Sequence, residues 1–256
     1  MIDLGLEGQK FVLVFFRVVS MLWLLPLFQS TSVSVAYKAG LSLIIAFLLF
    51  EPVAVPDLRG DAFLLLLAIA KEILIGLSIG FFVRVLFSMV SAAGEVVSMQ
   101  SGLSFARSMD PTLSVQTTVI EQFQSLLAIM IFLGIDGHHI LLAGLAASLR
   151  QVPPGVFVLR PMLSQYMIEA VGRLFAASLK ICAPVVATLF FVDLALGILA
   201  RLIPQVNVFI EGASIKILTT LAMLALSLNL AFPVIAGVFR GLDSEMLKVV
   251  KCAAGG

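Results

Sequence analysis

Long apolar runs alternate with short polar breaks along the whole chain. The first run covers residues 11–28, with Arg17 inside it and Pro26 near its end. The second, 39–50, closes on Glu51-Pro52 and the polar stretch Pro56-Asp57-Leu58-Arg59-Gly60-Asp61. The third starts near Ala62, carries Lys71 and Glu72, continues at least to Val90 and can extend to Gly102. A polar segment, 104–121, follows, with the turn signal Met109-Asp110-Pro111. The fourth run, 123–149, is split by Gly134-Ile135-Asp136-Gly137-His138-His139. After a loop containing Val152-Pro153-Pro154-Gly155 come a fifth run, 167–202, a sixth, 209–239, and a polar tail, 240–256. Roughly 20 apolar residues of helix cross a hydrocarbon core about 30 Å thick. The pattern therefore predicts an all-α, integral membrane-type protein with five to six long apolar helices. No period-2 alternation suggests a lipid-facing barrel. No linker or composition shift marks a second domain.

Composition sharpens this. Of 256 residues, 61% are hydrophobic and 12% charged, against about 25% charged in a soluble domain. Mean hydropathy is +1.16. That excludes an ordinary soluble enzyme and a disordered chain. A net charge of +1 gives no bulk attraction to nucleic acid. Two cysteines, Cys182 and Cys252, cannot make a disulfide framework or an all-thiolate zinc site; Cys182, in an apolar run, is expected in the core. The acidic start, Met1-Ile2-Asp3-Leu4-Gly5-Leu6-Glu7, does not resemble a secretory signal. Arg240, Lys248 and Lys251 point to a cytoplasmic C-terminus by the positive-inside rule.

The apolar runs are interrupted in a consistent way. Arg17, Lys71, Glu72, Arg84, Glu95, Asp136, Lys180, Asp193, Arg201, Glu211 and Lys216 sit in or beside them. An Arg, Lys or Asp at a bilayer centre costs about 2.5–3.5 kcal/mol. These groups are expected to be shallow, paired, or turned toward protein or water. Because so short a chain has little interior, other subunits are expected to cover much of its surface. Pro26, Pro184, Pro204 and Pro233 fall inside or at the end of apolar runs, where they predict kinks or stops.

Glu72, Gly76, Gly80, Arg84 and Ser88 are four apart and share one slowly drifting helical stripe. Gly94, Ser98 and Gly102 repeat the spacing. Small residues so spaced let another backbone approach closely. Glu72, Gly76, Gly80, Arg84, Gly94 and Gly102 are thus helix-docking candidates, either between subunits or within the chain. Asp136, His138 and His139 suit a proton relay or, more simply, a hairpin turn broken by Gly134 and Gly137 and capped by the polar residues. A metal site would need further ligands at suitable spacing, none of them local, so no metal is expected. Asp193 and Arg201, eight apart, lie on neighbouring faces and should each pair with something else. Lys180 near Pro184 reads as structural, and Met99, Met109 and Met130 as core filler rather than a deformable seal. No Gly-x-Ser-x-Gly, Walker A loop, His-Glu-x-x-His or dinucleotide glycine fingerprint is present. The chain reads as a non-enzyme with no cofactor.

Three stretches together resemble the FliR family of flagellar biosynthesis proteins, relatives of the injectisome component SctT. The first is Gly94-Glu95-Val96-Val97-Ser98-Met99-Gln100-Ser101-Gly102-Leu103-Ser104-Phe105-Ala106 with Asp110-Pro111. The second is Phe132-Leu133-Gly134-Ile135-Asp136-Gly137-His138. The third joins Val192-Asp193-Leu194-Ala195-Leu196-Gly197, Ala200-Arg201, Pro204-Gln205-Val206-Asn207-Val208-Phe209, Gly212 and Ile215-Lys216. Gly137-His138 favours the flagellar over the virulence branch; His139 departs from the aromatic or aliphatic residue common after that pair.

The resemblance implies kinked antiparallel helical hairpins built into a larger helical hetero-oligomer. It implies a single export-gate domain, its FliP-like part about 1–165 and its FliQ-like part about 166–256. The implied partners are FliP-like, FliQ-like and FlhB-like subunits, unfolded flagellar substrates and membrane lipid. The implied location is the bacterial inner membrane, in the flagellar basal body. By position, segment 104–119 matches a pore plug, with Phe105, Met109, Asp110 and Pro111 as gating candidates and the first two as sealing side chains. Glu95, Asp193, Arg201 and Lys216 are candidates for polar contacts between subunits. A secondary transporter or proton channel using Asp136, His138 and Asp193 is the alternative, though it should show inverted repeats; a membrane-embedded enzyme lacks motifs.

Overall fold

The computed structural model describes residues 4–28, 33–50, 62–104, 118–155, 161–203 and 208–254. Among them the architecture is all-α. The helices are α1 (Leu4–Leu24), α2 (Val35–Leu49), α3 (Ala62–Ser101), α4 (Val119–Gly134), α5 (Gly137–Gln151), α6 (Pro161–Leu202), α7 (Val208–Arg240) and α8 (Leu242–Ala254). A 3₁₀ turn, Pro26–Phe28, follows α1. Pro26 cannot donate to Leu22; instead Leu25 N–H donates to Leu22 O at 3.2 Å and tightens the end. Ser34 caps α2, accepting from Tyr37 N–H. Thr118 and Glu121 close α4 with a reciprocal capping box.

The expectation of five to six spans is corrected. Among the described residues three helical stretches, Ala62–Ser101, Met162–Leu202 and Glu211–Cys252, are long and apolar enough to cross a bilayer. Val119–Gly134 and Gly137–Gln151 would add a fourth if taken as one broken span. The shortfall has two causes. Glu7, Lys10 and Arg17 leave α1 no charge-poor stretch of sufficient length. The 15 residues of α2 reach only about 22 Å.

The prolines divide. Pro184 and Pro233 lie inside α6 and α7 and stop neither. Thr188 Oγ1 donates to Pro184 O at 2.9 Å, a back-bond within α6. Only Pro26 coincides with a helix end in the expected way; Pro204 is outside the described residues. The tail was expected only to be polar. It forms α8, whose Leu242, Met246, Val249 and Val250 are buried.

The chain forms two compact units of interleaved segments. The first comprises Met1–Leu86, Asp136–Gly172 and Phe239–Gly256. Within it α1 and α2 form an antiparallel hairpin: Phe11 meets Phe50 edge-on at 5.9 Å, and Lys38 lies over Trp23 at 5.5 Å. Against α3, α1 runs parallel at backbone contact. A Cβ on Gly76 would lie 1.9 Å from Ser20 Oγ and 2.4 Å from Arg17 O; one on Gly80 would lie 2.7 Å from Met21 O. On α5, Gly144 accommodates Met246 of α8, and Tyr166 O–H donates to Glu245.

At the centre of this unit Arg17 and Glu72 are both fully buried. Arg17 Nε donates to Glu72 Oε2 at 2.6 Å. The other arms of the guanidinium donate to Ser148 O at 3.1 Å and Val152 O at 3.0 Å, at the end of α5. Glu72 Oε1 accepts from Gly155 N–H at 2.9 Å, and Lys71 Nζ donates to Gly155 O at 3.4 Å. One ion pair thus ties α1, α3 and the turn after α5, with its hydrogen-bonding capacity used.

The second unit comprises Phe87–Ile135 and Arg173–Val238. The rest of α3 runs antiparallel to α4 through Phe87–Phe132 (ring centroids 5.3 Å), Ser91–Ser125 (2.8 Å) and Ser98–Thr118 (2.6 Å). A Cβ on Gly94 would lie 2.8 Å from Glu121 Cα. The hairpin of α6 and α7 leaves wide apolar faces open: Phe175, Phe190, Phe191, Ile198 and Leu202 on α6, and Leu218, Leu226 and Leu230 on α7.

Removing one partner of a buried pair strands the other. Arg17→Met should lower stability by about 3–5 kcal/mol, read by chemical denaturation in detergent. The double variant Arg17→Met/Glu72→Met should recover part of it, not all, because Val152 O and Gly155 N–H lose their partners. Gly76→Leu should destabilise the chain by about 1–3 kcal/mol or more through overpacking; an unchanged midpoint would show that α1 does not rest on Gly76.

Candidate functional site

The described residues next to segment 105–117 are held firmly on both sides. At the end of α3, Gly102 takes φ +83°. There Ser104 N–H donates to Ser98 O at 3.3 Å and Ser101 Oγ to Ser98 O at 3.0 Å. At the start of α4, Thr118 Oγ1 accepts from Glu121 N–H and shares the 2.6 Å hydrogen bond with Ser98 Oγ. The chain therefore leaves α3 and enters α4 at tethered positions. The gating candidates Phe105, Met109, Asp110 and Pro111 lie outside the described residues.

Just before this exit, within the same unit, three helices meet in a polar clamp. Asp193 of α6 and Lys216 of α7 form an ion pair with Nζ–Oδ1 at 2.5 Å. Gln100 of α3 donates from Nε2 to Asp193 Oδ2 at 3.1 Å and accepts from Lys216 Nζ through its carbonyl at 3.4 Å. The hairpin is close enough for this because Gly212 sits against Leu196, where a Cβ would be 3.0 Å from Cδ1. Both charged side chains are about a quarter to a third exposed: 36% for Asp193, 23% for Lys216. Partial desolvation makes the attraction stronger than at an open surface. Asp193 pairs with Lys216 and Gln100, not with Arg201, in keeping with the helical spacing.

The helix-docking stripe divides by position. Glu72, Gly76 and Gly80 face α1 and its partners inside the first unit; Gly94 faces α4 inside the second. Arg84 is exposed. Gly102 has open space around its Cα and serves the α3 end. Of the polar candidates, Asp193 and Lys216 come together, Glu95 is half-buried, and Arg201 is exposed among Ile198, Leu202 and Ile203. Lys180 and Glu211 are exposed as well.

The break between α4 and α5 falls where the glycines and polar residues placed it, with different geometry. Neither Gly134 nor Gly137 takes a positive φ; Asp136 does, at φ 57° and ψ 32°. Asp136 occupies the N-cap of α5 without a side-chain capping bond. His139 N–H donates to Asp136 O at 2.9 Å instead. The expected side-chain cap is thus replaced by a backbone one, and the carboxylate faces His139, with Oδ1 and Nδ1 3.5 Å apart.

Sequence reasoning missed Gln100, Ser148 and the Ser98–Thr118 bond. Thr118-x-x-Glu121 before an apolar run was a readable capping box. Gln100 and Ser148 carried no comparable signal, since both act through partners far along the chain.

A family model described as bacterial export proteins, family 1, matches residues 9–242. The flagellar biosynthetic protein FliR of Bacillus subtilis (strain 168) is 33% identical over 235 residues, 90% of each chain. The protein of the same name from Escherichia coli (strain K12) is 28% identical over 91% of this chain and 90% of its own. That of Pectobacterium carotovorum subsp. carotovorum is 30% identical over 94% and 91%.

If the clamp holds the α6–α7 hairpin to α3, Asp193→Asn and Lys216→Met should be non-additive. A double-mutant cycle on detergent stability should give a coupling of about 0.5–1 kcal/mol. Independent effects would show the pair to be incidental.

Proposed function

We propose a function from one premise: the chain belongs to the bacterial export proteins, family 1. It is a membrane-type component of flagellar biosynthesis and export, as its FliR relatives are named. Its finer role is that of a gate subunit without bond chemistry of its own. With FliP-like and FliQ-like subunits, and an FlhB-like chain at the base, it forms the conduit in the inner membrane through which unfolded flagellar subunits pass. Segment 104–119 supplies part of the closure, with Phe105 and Met109 as sealing side chains; an apolar constriction of this kind excludes ions by dewetting.

One observation carries the reading beyond family membership. Arg84, Lys180, Arg201 and Glu211 are exposed on helices that otherwise present large apolar side chains. Lipid suits the apolar groups and penalises the charges; water does the reverse. A protein neighbour with its own polar groups suits both.

Native mass spectrometry of the particle extracted from the source membrane should find this chain with FliP-like and FliQ-like subunits. Recovery of the chain alone, under conditions that keep other membrane complexes intact, would contradict the assembly. Cysteines placed at Phe105 and on a facing subunit should stop secretion of hook-type substrates when crosslinked, and reduction should restore it. Undiminished secretion with complete crosslinking would remove the segment from the closure.

A further inference from the structure

The cluster at the start of α5 has donor chemistry that the export role does not use. Asp136, His138 and His139 each offer one ligand atom, and these atoms all lie within 4.8 Å of one another. We propose that they form a surface site for a divalent transition-metal ion of the zinc type.

Two imidazoles and a carboxylate are a donor set for such an ion, and three protein ligands suffice when water completes the shell. The expectation of no metal rested on the lack of further local ligands, which an open coordination sphere does not require. Bond lengths near 2.0–2.2 Å place neighbouring donors of a tetrahedral zinc about 3.4 Å apart. Asp136 Oδ1 and His139 Nδ1 stand 3.5 Å apart, long for a hydrogen bond and right for two ligands of one ion. Their side chains are 74% and 71% exposed within the chain, so small rotations can bring in the third donor.

The backbone explains the convergence. The left-handed conformation of Asp136 turns its carboxylate off the amide groups it would otherwise cap and toward the first turn of α5. The adjacent rings of His138 and His139 lie 4.2 Å apart. Bound there, the ion would tie the N-cap residue to the first helical turn, a role no side-chain cap fills.

The test uses the full chain in detergent, purified through a histidine-free tag and stripped of metal by chelator. Co²⁺ is the probe, followed by its visible absorption, with Zn²⁺ as competitor. One Co²⁺ per chain, displaced by Zn²⁺, is expected. His138→Ala and His139→Ala should each weaken binding about tenfold or more, and Asp136→Asn/His138→Ala/His139→Ala should abolish it while helicity and elution volume stay unchanged. Cys182→Ser/Cys252→Ser should bind as the unaltered chain does. Wild-type-like Co²⁺ binding by the triple variant, or no saturable binding by the unaltered chain, would overturn the site. Zn²⁺ should also raise the melting temperature of the unaltered chain and not that of the triple variant; equal shifts would count equally against it.

Discussion

Ionised side chains in an apolar chain need partners, and this protein meets that need in two ways. Arg17 and Glu72 show the first. Both are fully buried, and burial of either charge alone would cost several kcal/mol. The pair is tolerable because α1 lies directly on Gly76 and Gly80 of α3, which brings the guanidinium to the carboxylate, and because the end of α5 and the turn after it supply carbonyls and an amide for the remaining donors and acceptors. Glycine spacing, helix contact and ion pair are one device. The Asp193–Lys216–Gln100 clamp repeats the principle in the other unit, at the α3 end that leads into segment 105–117.

The second way is left open by the chain itself. Arg201 stands exposed between Ile198 and Leu202, and Glu211 on the opposing arm of the hairpin is exposed as well. The sequence argument that this polypeptide cannot shelter its charges therefore divides: it shelters some with close geometry and presents others on apolar faces. On the function proposed above, neighbouring subunits cover that second set.

Much of this was legible along the chain. The long apolar run beginning near Ala62 became α3, and the glycine-bounded interruption at Asp136 became the break before α5. Those features are local, and local periodicity records them. The docking stripe was legible as a stripe, but its partner was not, because small residues admit any backbone. Arg17 and Glu72 are 55 positions apart, and nothing in either neighbourhood names the other. The last helix was hidden for a different reason: with Asp243, Glu245, Lys248 and Lys251 its composition is that of a tail, while Leu242, Met246, Val249 and Val250 carry a helical period that only its packing makes decisive. Pro184 and Pro233 end neither helix because a long helix with flanking turns can absorb one lost hydrogen bond.

The most direct measurement of the central claim is the accessibility of the exposed charged positions before and after assembly. A single cysteine at position 201, and another at 211, would be titrated with a small maleimide in the isolated chain and in the intact membrane particle. Rapid labelling of the isolated chain and strong protection in the particle are the predicted result. Equal labelling in both states would mean that these charged faces meet solvent or lipid rather than neighbouring subunits.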